Sequence, residues 1–167
     1  MSNSYSLHFV KSEHDIDLFW QLRNKYMRED VLPNATFDPA TNEDYEWFFS
    51  QEYKENIMGA FYREKHKLNI VFLHDNNENI GFAVYVIYHD EDGKCLIVDF
   101  CILTEYRNKG IGSQFFGMLR QYVMSEHAVY FALNLSNENN KRFWERNGFV
   151  NASKDEYGND VYEKHPL

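Results

Sequence analysis

The chain is expected to fold as a mixed α/β domain of the α+β kind. Three observations carry that expectation. Strand-like and helix-like segments interleave along the chain. Three consecutive apolar runs are separated by short polar turns. One apolar run leaves through a glycine-containing turn straight into an amphipathic segment. With 167 residues, 44% apolar and 17% aromatic, the chain can bury one sizeable core and lacks the signature of disorder.

"YSLHFVKS" reads as a short strand with Leu7 and Phe9 on one face. "HDIDLFWQLRNKYMRED" carries Ile16, Phe19, Trp20, Arg23 and Met27 near helical spacing, with Ser12 placed to cap it. "VLPNATFDPATNED" holds two of the three prolines and reads as a loop. "YEWFFSQEYKENIMGAFYREK" reads as a helix, with Gly59 a candidate interruption. "KLNIVFLHD", "IGFAVYVIYHD" and "CLIVDFCILT" read as three strands joined by the hairpin turns "NNEN" and "EDGK". A helix with Ile111, Phe115, Leu119 and Tyr122 on one side follows, then the strand "AVYFALNLS". "NENNKRFWERNGF" reads as a helix closed by Gly148, a natural left-handed cap. "VNASKDEY", turn "GND" and "VYEKH" form a final hairpin. The order is therefore strand, two helices, three strands, helix, strand, helix, two strands, with no internal repeat or linker.

Lys and Arg total 17 against 26 Asp and Glu, a net charge of −9. That argues against a general nucleic-acid binder, which needs a basic face. It suits a cationic partner or simple solubility. No apolar run reaches the roughly 18 residues of a membrane helix, and the first residues do not read as a signal peptide. Cys95 and Cys101 lie six apart on one expected strand, an even offset within a straight strand and too far to bridge. They fit buried thiols in a reducing cytoplasm, the expected location. No His, Cys and Asp cluster has metal-site spacing, so no metal is expected.

"TEYRNKGIGSQF", residues 104–115, carries the chemistry. A buried strand that turns directly into a helix leaves the first helical N–H groups without partners, where the helix dipole adds partial positive charge. Glycine lets a ligand approach the backbone closely. The result is an anion cradle, with Arg107 and Lys109 adding formal charge. It matches neither the dinucleotide fingerprint, which needs a glycine at Phe115, nor the P-loop, which needs Gly-Lys-Ser/Thr.

"RNKGIG", with Arg107, Gly110 and Gly112, resembles the coenzyme A loop of the Gcn5-related N-acetyltransferase (GNAT) superfamily. "ILTEYR" resembles its usual approach, with Thr104 at a common proline. Asn137, Trp144, Gly148 and Phe149 in "NENNKRFWERNGF" resemble its second motif. The resemblance implies a single N-acetyltransferase domain over residues 1–167. Its mixed central sheet would have about six to seven strands, helices on both faces, and a V-shaped splay between two parallel strands, here "CLIVDFCILT" and "AVYFALNLS". It implies acetyl-CoA as co-substrate, with the pyrophosphate on Arg107, Asn108, Lys109, Gly110, Ile111, Gly112 and Ser113. The pantetheine arm would pair with backbone around Ile102 and Leu103. Asn137 matches an Asn that touches the pantetheine or starts the helix.

The pattern departs in two places. The family's usual proton-donating Tyr falls at Trp144, whose indole cannot act as an acid; water, Tyr130 or the cofactor environment are the alternatives. The family's usual Glu falls near Leu96, so Asp99 is the candidate base, with a structural acceptor or an amine anchor as alternatives. His74, His89 and His127 lie at element ends. Tyr45, Trp47, Phe48 and Tyr53 fall where the family builds its acceptor wall, or pack in the core. The expected function is acetyl-CoA-dependent transfer to a primary amine, directly and without an acyl-enzyme. The alternative is a catalytically impaired CoA-binding sensor or interaction module. A small-molecule or peptide amine is the expected partner; nucleic acid and membrane are not expected, and a homodimer is compatible with this reading.

Overall fold

The computed structural model describes residues 4–34, 46–135 and 138–167. Among these, seven strands form one sheet: β1 (Tyr5–Phe9), β2 (Leu68–Asp75), β3 (Glu78–Ile87), β4 (Lys94–Ile102), β5 (Tyr130–Leu135), β6 (Val150–Lys154) and β7 (Asp160–Lys164). The spatial order is β1-β2-β3-β4-β5-β7-β6. Every neighbouring pair is antiparallel except β4 and β5, which run parallel. Four α-helices are described: α1 (Glu13–Tyr26), α2 (Gln51–Tyr62), α3 (Ile111–Ser125) and α4 (Lys141–Arg146). The expected order of elements is the observed one. No described helix is long and apolar enough to cross a membrane.

Two cores follow from covering both faces of the sheet. On one, Ile16, Phe19 and Trp20 of α1 and Phe61 of α2 pack on Ile70, Phe72, Phe82 and Val84. On the other, Ile111, Phe115, Leu119 and Val123 of α3 and Trp144 of α4 pack on Val71, Tyr85, Phe131 and Leu133. Strand β3 is therefore buried from Ile80 to Ile87, as a doubly covered strand must be. Ser12 caps α1 by accepting from the Asp15 N–H at 3.1 Å, and Ser50 caps α2 in the same way through the Tyr53 N–H at 3.0 Å.

Helix α2 runs unbroken through Gly59. A methyl group there would meet nothing within 4 Å. Gly59→Ala should therefore stabilise the protein by about 0.5–1 kcal/mol, the usual helix-interior difference, read as a higher denaturant midpoint at unchanged m-value. Helix α1 passes directly into a π-helical turn, Met27–Val31, and then a 3-10 turn, Leu32–Asn34. This places Tyr26 and Asp30 beside the sheet's open centre. The rest of the expected loop, from residue 35, lies outside the described residues.

The decisive irregularity is in β4. Val84 faces Asp99 and Tyr85 faces Ile97, so Val98 is an extra residue in the ladder. Such a bulge re-aims side chains and bends the strand. It also corrects the straight-strand reading of the cysteines. Cys95 packs in the α3–α4 core and Cys101 in the α1–α2 core, so the even offset no longer means a shared face. Both thiols are free and buried. Strands β4 and β5 pair only over Lys94–Leu96 and Tyr130–Ala132. Past that point β4 keeps only β3 and β5 keeps only β7, and the two strands part as a V.

Candidate active site

The strand-to-helix turn builds an anion cradle without help from capping side chains. Asn108 and Gly110 both have left-handed backbone, with φ 62° and 76°. Alternating handedness of this kind turns successive N–H groups to one side, forming an anion nest. Gly110 is the N-cap of α3, and no side chain caps the helix. The N–H groups of its first turn are thus available at the positive end of a 15-residue helix. A side chain at Gly110 would meet no neighbour within 4 Å, whereas one at Gly112 would press on Phe143 at 3.0 Å. Gly110 therefore keeps the cradle open, while Gly112 lets α3 pack closely on α4. Ser113 accepts from Asn147 Nδ2 at 3.3 Å, and Lys109 stays at the exposed rim.

Arg107 behaves differently from a free phosphate-binding cation. Its two terminal nitrogens donate to both carboxylate oxygens of Asp30 at 2.8 and 2.9 Å. Its Nε donates to the Ile102 carbonyl at 2.7 Å. The charge expected in the cradle is compensated by Asp30, and the guanidinium ties the loop to the end of α1 and to the tip of β4. Leu103 donates its N–H to Ile80 O on β3 at 2.9 Å. Strand alternation then turns the backbone of Ile102 to the opposite side, into the V.

A cleft of about 540 Å³ joins these parts. Asn108, Gly110–Ser113, Ile102 and Arg107 line it, and so do Arg142 and Arg146 of α4, which are one helical turn apart. A smaller cavity of about 80 Å³ opens on the other side of the V, between Val98–Phe100 of β4 and Leu133–Leu135 of β5. Asp99 lines this second cavity. Tyr26, Phe100, Asn140 and Trp144 border both.

Asp99 stands at a cleft floor, partly accessible yet with protein packed densely around its carboxyl. Desolvation pushes its pKa up to about 6, against the smaller pull of Arg23. Arg23 is the one charged side chain fully buried among the described residues. It donates to the Phe48 carbonyl and to Asn24 Oδ1, and lies 4.7 Å from the Tyr53 ring centroid. Trp47 and Phe48 pack edge-on against Tyr53 at 5.8 and 5.6 Å. Trp20 and Phe49 also lie near the guanidinium, at 5.7 and 5.9 Å, and none of Trp47, Phe48 and Tyr53 lines either cavity.

Trp144 is 6% exposed and packs edge-on against Phe100, Phe116 and Phe149 at 5.2, 5.8 and 5.1 Å. Its role is to wall the cleft. Trp144→Phe should change turnover by less than about tenfold, or 1.4 kcal/mol, in a steady-state assay at saturating substrates. Tyr130 lies at the closed end of the V, paired with Lys94. Its hydroxyl donates to Asp92 at 2.5 Å, which holds its pKa up near 12, and its ring stacks on His165. It is remote from the opening where Asp99 stands. His74 stacks on His8, His89 contacts the Glu126 carbonyl, and neither these two nor His127 lines a cavity. Asn137 and Tyr45 lie outside the described residues.

Sequence reasoning missed Tyr26, Asp30, Asn140, Arg142 and Arg146. The i, i+4 arginine pair within "KRFWER" was a readable signal. Nothing local marks Tyr26 or Asp30, which reach the site only through packing of α1.

A parallel strand pair that splays beside an uncapped helix N-terminus defines a domain that admits an extended anionic ligand between its strands. Residues 33–149 match the Acetyltransferase (GNAT) family, and the chain belongs to that family. Among curated proteins, none matches the sequence. Solved structures share the fold. PaiA N-acetyltransferase from Thermoplasma acidophilum, in complex with coenzyme A, superposes with a TM-score of 0.67 at 17% identity, over 97% of this chain and 99% of that one. A GNAT family acetyltransferase from Elizabethkingia anophelis with acetyl-CoA bound gives 0.60 at 15% identity, over 96% and 97%. The ribosomal-protein-S18-alanine N-acetyltransferase from Escherichia coli gives 0.61 at 11% identity, over 98% and 94%.

Proposed function

We propose that this chain, as one domain over residues 1–167, transfers the acetyl group of acetyl-CoA directly to a primary amine of a small molecule or peptide. The observation that carries the reading is the cleft of about 540 Å³ at the strand-to-helix nest, four of whose lining residues also border the smaller cavity where Asp99 stands. The backbone of Asn108 to Ser113 and the N-terminus of α3 would hold the pyrophosphate. The V-facing backbone of Ile102, with Leu103 beyond it, would flank the pantetheine arm. Arg142 and Arg146 add positive charge to the cleft lining, and Asn137, outside the described residues, is assigned to the cofactor by its motif alone. Lys109 at the rim would meet the nucleotide's outer phosphates.

Bound there, acetyl-CoA supplies an activated acyl group. The protein supplies proximity and a base. Asp99 takes the proton that the attacking nitrogen sheds, because a carboxyl titrating near 6 is both ionised at neutral pH and a better base than an ordinary aspartate. Phe100, Leu133, Leu135 and Trp144 give the cavity beside it an apolar wall. The net charge of −9 favours a cationic acceptor, and two free buried thiols suit a cytoplasmic protein. Acetyl-CoA at about 100 times its dissociation constant should stabilise the fold by about 2.7 kcal/mol, measured as a denaturation midpoint shift; no shift at any concentration would remove the assignment.

A further inference from the structure

We infer that Tyr26, from the C-terminal end of α1, donates the proton that the departing thiolate takes up. The inference rests on the acetyl-transfer reading above and adds a residue to it. On that reading the thioester lies where the cofactor cleft meets the smaller cavity that Asp99 lines. Four described side chains border both: Tyr26, Phe100, Asn140 and Trp144. Phe100 has no proton to give, and the amide of Asn140 and the indole of Trp144 donate hydrogen bonds but are not acids at any working pH. Only Tyr26 combines the position with an ionisable O–H.

Its surroundings suit the task. The ring is fixed edge-on against Phe82 at 5.7 Å and packs, partly buried, against the α1–α2 core. Its hydroxyl donates to no acceptor among the described residues. Burial and the negative charges of Asp99 and Asp30 hold the phenol protonated, against the smaller opposing effect of Arg107; the neighbouring Cys101 thiol is itself kept neutral by burial. Of those charges, Asp99 acts most strongly. The two groups are thereby coupled: once Asp99 has accepted the amine's proton, its charge is gone and Tyr26 becomes a stronger acid.

The step balances without a further reactant. The nitrogen lone pair forms the C–N bond as the C–S bond breaks, and the C–S electron pair stays on sulfur. The Tyr26 proton passes to that sulfur, and Asp99 takes the proton from nitrogen. Transfer from Asp99 back to the phenolate through solvent restores both groups.

The test compares wild type with Tyr26→Phe on two acyl donors and the best amine of a panel. Acetyl-CoA expels an alkyl thiolate that needs a proton. Phenyl thioacetate expels a far more acidic thiol that leaves without one. With acetyl-CoA the variant should lose about a hundredfold or more in turnover, the range of general-acid catalysis. With phenyl thioacetate the two proteins should agree within about threefold. Calorimetric affinity for acetyl-CoA and the melting temperature should be those of the wild type. Equal activity on acetyl-CoA, or an equal loss on both donors, overturns the assignment; a merely structural role gives the second result. A wild type that binds acetyl-CoA but releases no thiol with any amine overturns the underlying reading instead. If Tyr26→Phe fails to fold, site-specific 3-fluorotyrosine at position 26, a stronger acid of the same shape, must alter turnover on acetyl-CoA and not on phenyl thioacetate; no change on acetyl-CoA overturns the proposal equally.

Discussion

Asp99→Asn should lower turnover by about a hundredfold or more, because general-base catalysis is worth roughly 10² to 10⁴. The loss should be smaller at high pH, where the free amine is already neutral. In the wild type, turnover should fall as the pH drops through about 6, where Asp99 takes up its proton; the variant should lack that limb. If Asp99 instead anchors a cationic amine, KM rises and maximal turnover is nearly unchanged. Stability should move in the opposite direction from activity. The folded-state pKa lies above the ordinary 3.8, so the folded protein binds this proton more tightly than the unfolded chain does. The stability linked to it is full below that ordinary value and is lost as pH rises through about 6. Arg23, Tyr26, Tyr53 and Cys101 all share the field of this carboxylate. Asparagine keeps the neutral form at every pH. Asp99→Asn should therefore melt higher than wild type at pH 8 and close to it at pH 4. Full activity at every pH would remove both functional roles.

Gly110→Val should abolish measurable acetyl-CoA binding at concentrations that saturate the wild type. The residue has φ 76°, where a β-branched side chain is strongly disfavoured, at a cost of order 1–3 kcal/mol. A side chain there would meet no protein atom within 4 Å, so no packing absorbs it, and it adds bulk and strain to the backbone that an anion must approach closely. The fold should survive, since Gly110 is outside both cores. Calorimetry beside a melting curve reads both effects; unchanged affinity in a folded variant would sink the loop assignment. The contrast is Gly112, whose close contact is Phe143, and where added bulk should disturb α4 packing before it disturbs the ligand.

What the sequence made legible was local. Apolar period marked the strands and helices, and the Arg-Asn-Lys-Gly-Ile-Gly turn announced both the helix start and the anion site. What it hid depends on packing between distant segments. The bulge at Val98 follows no local rule in an apolar run, yet it separates the faces of Cys95 and Cys101 and aims Asp99 at the α1–α2 side. Arg107 reads as a cationic ligand in its motif. Only the fold brings Asp30, 77 residues away, to engage its charge. Tyr26 reads as one more aromatic on a helix, because its place between the two cavities exists only once α1 lies across the V. Trp144 was legible as a non-acid from its chemistry alone, whereas the remoteness of Tyr130 needed the register of β5 against β4.

The most direct test of the account is free-thiol release from acetyl-CoA by the wild-type protein across classes of amine, with a no-acceptor control. At least one primary amine should raise the release far above the control, with acetylated amine appearing in equal amount and the mass of the protein unchanged throughout. Saturable acetyl-CoA binding with release that never exceeds the control, whatever the amine, would contradict it and leave a binding module in place of an enzyme.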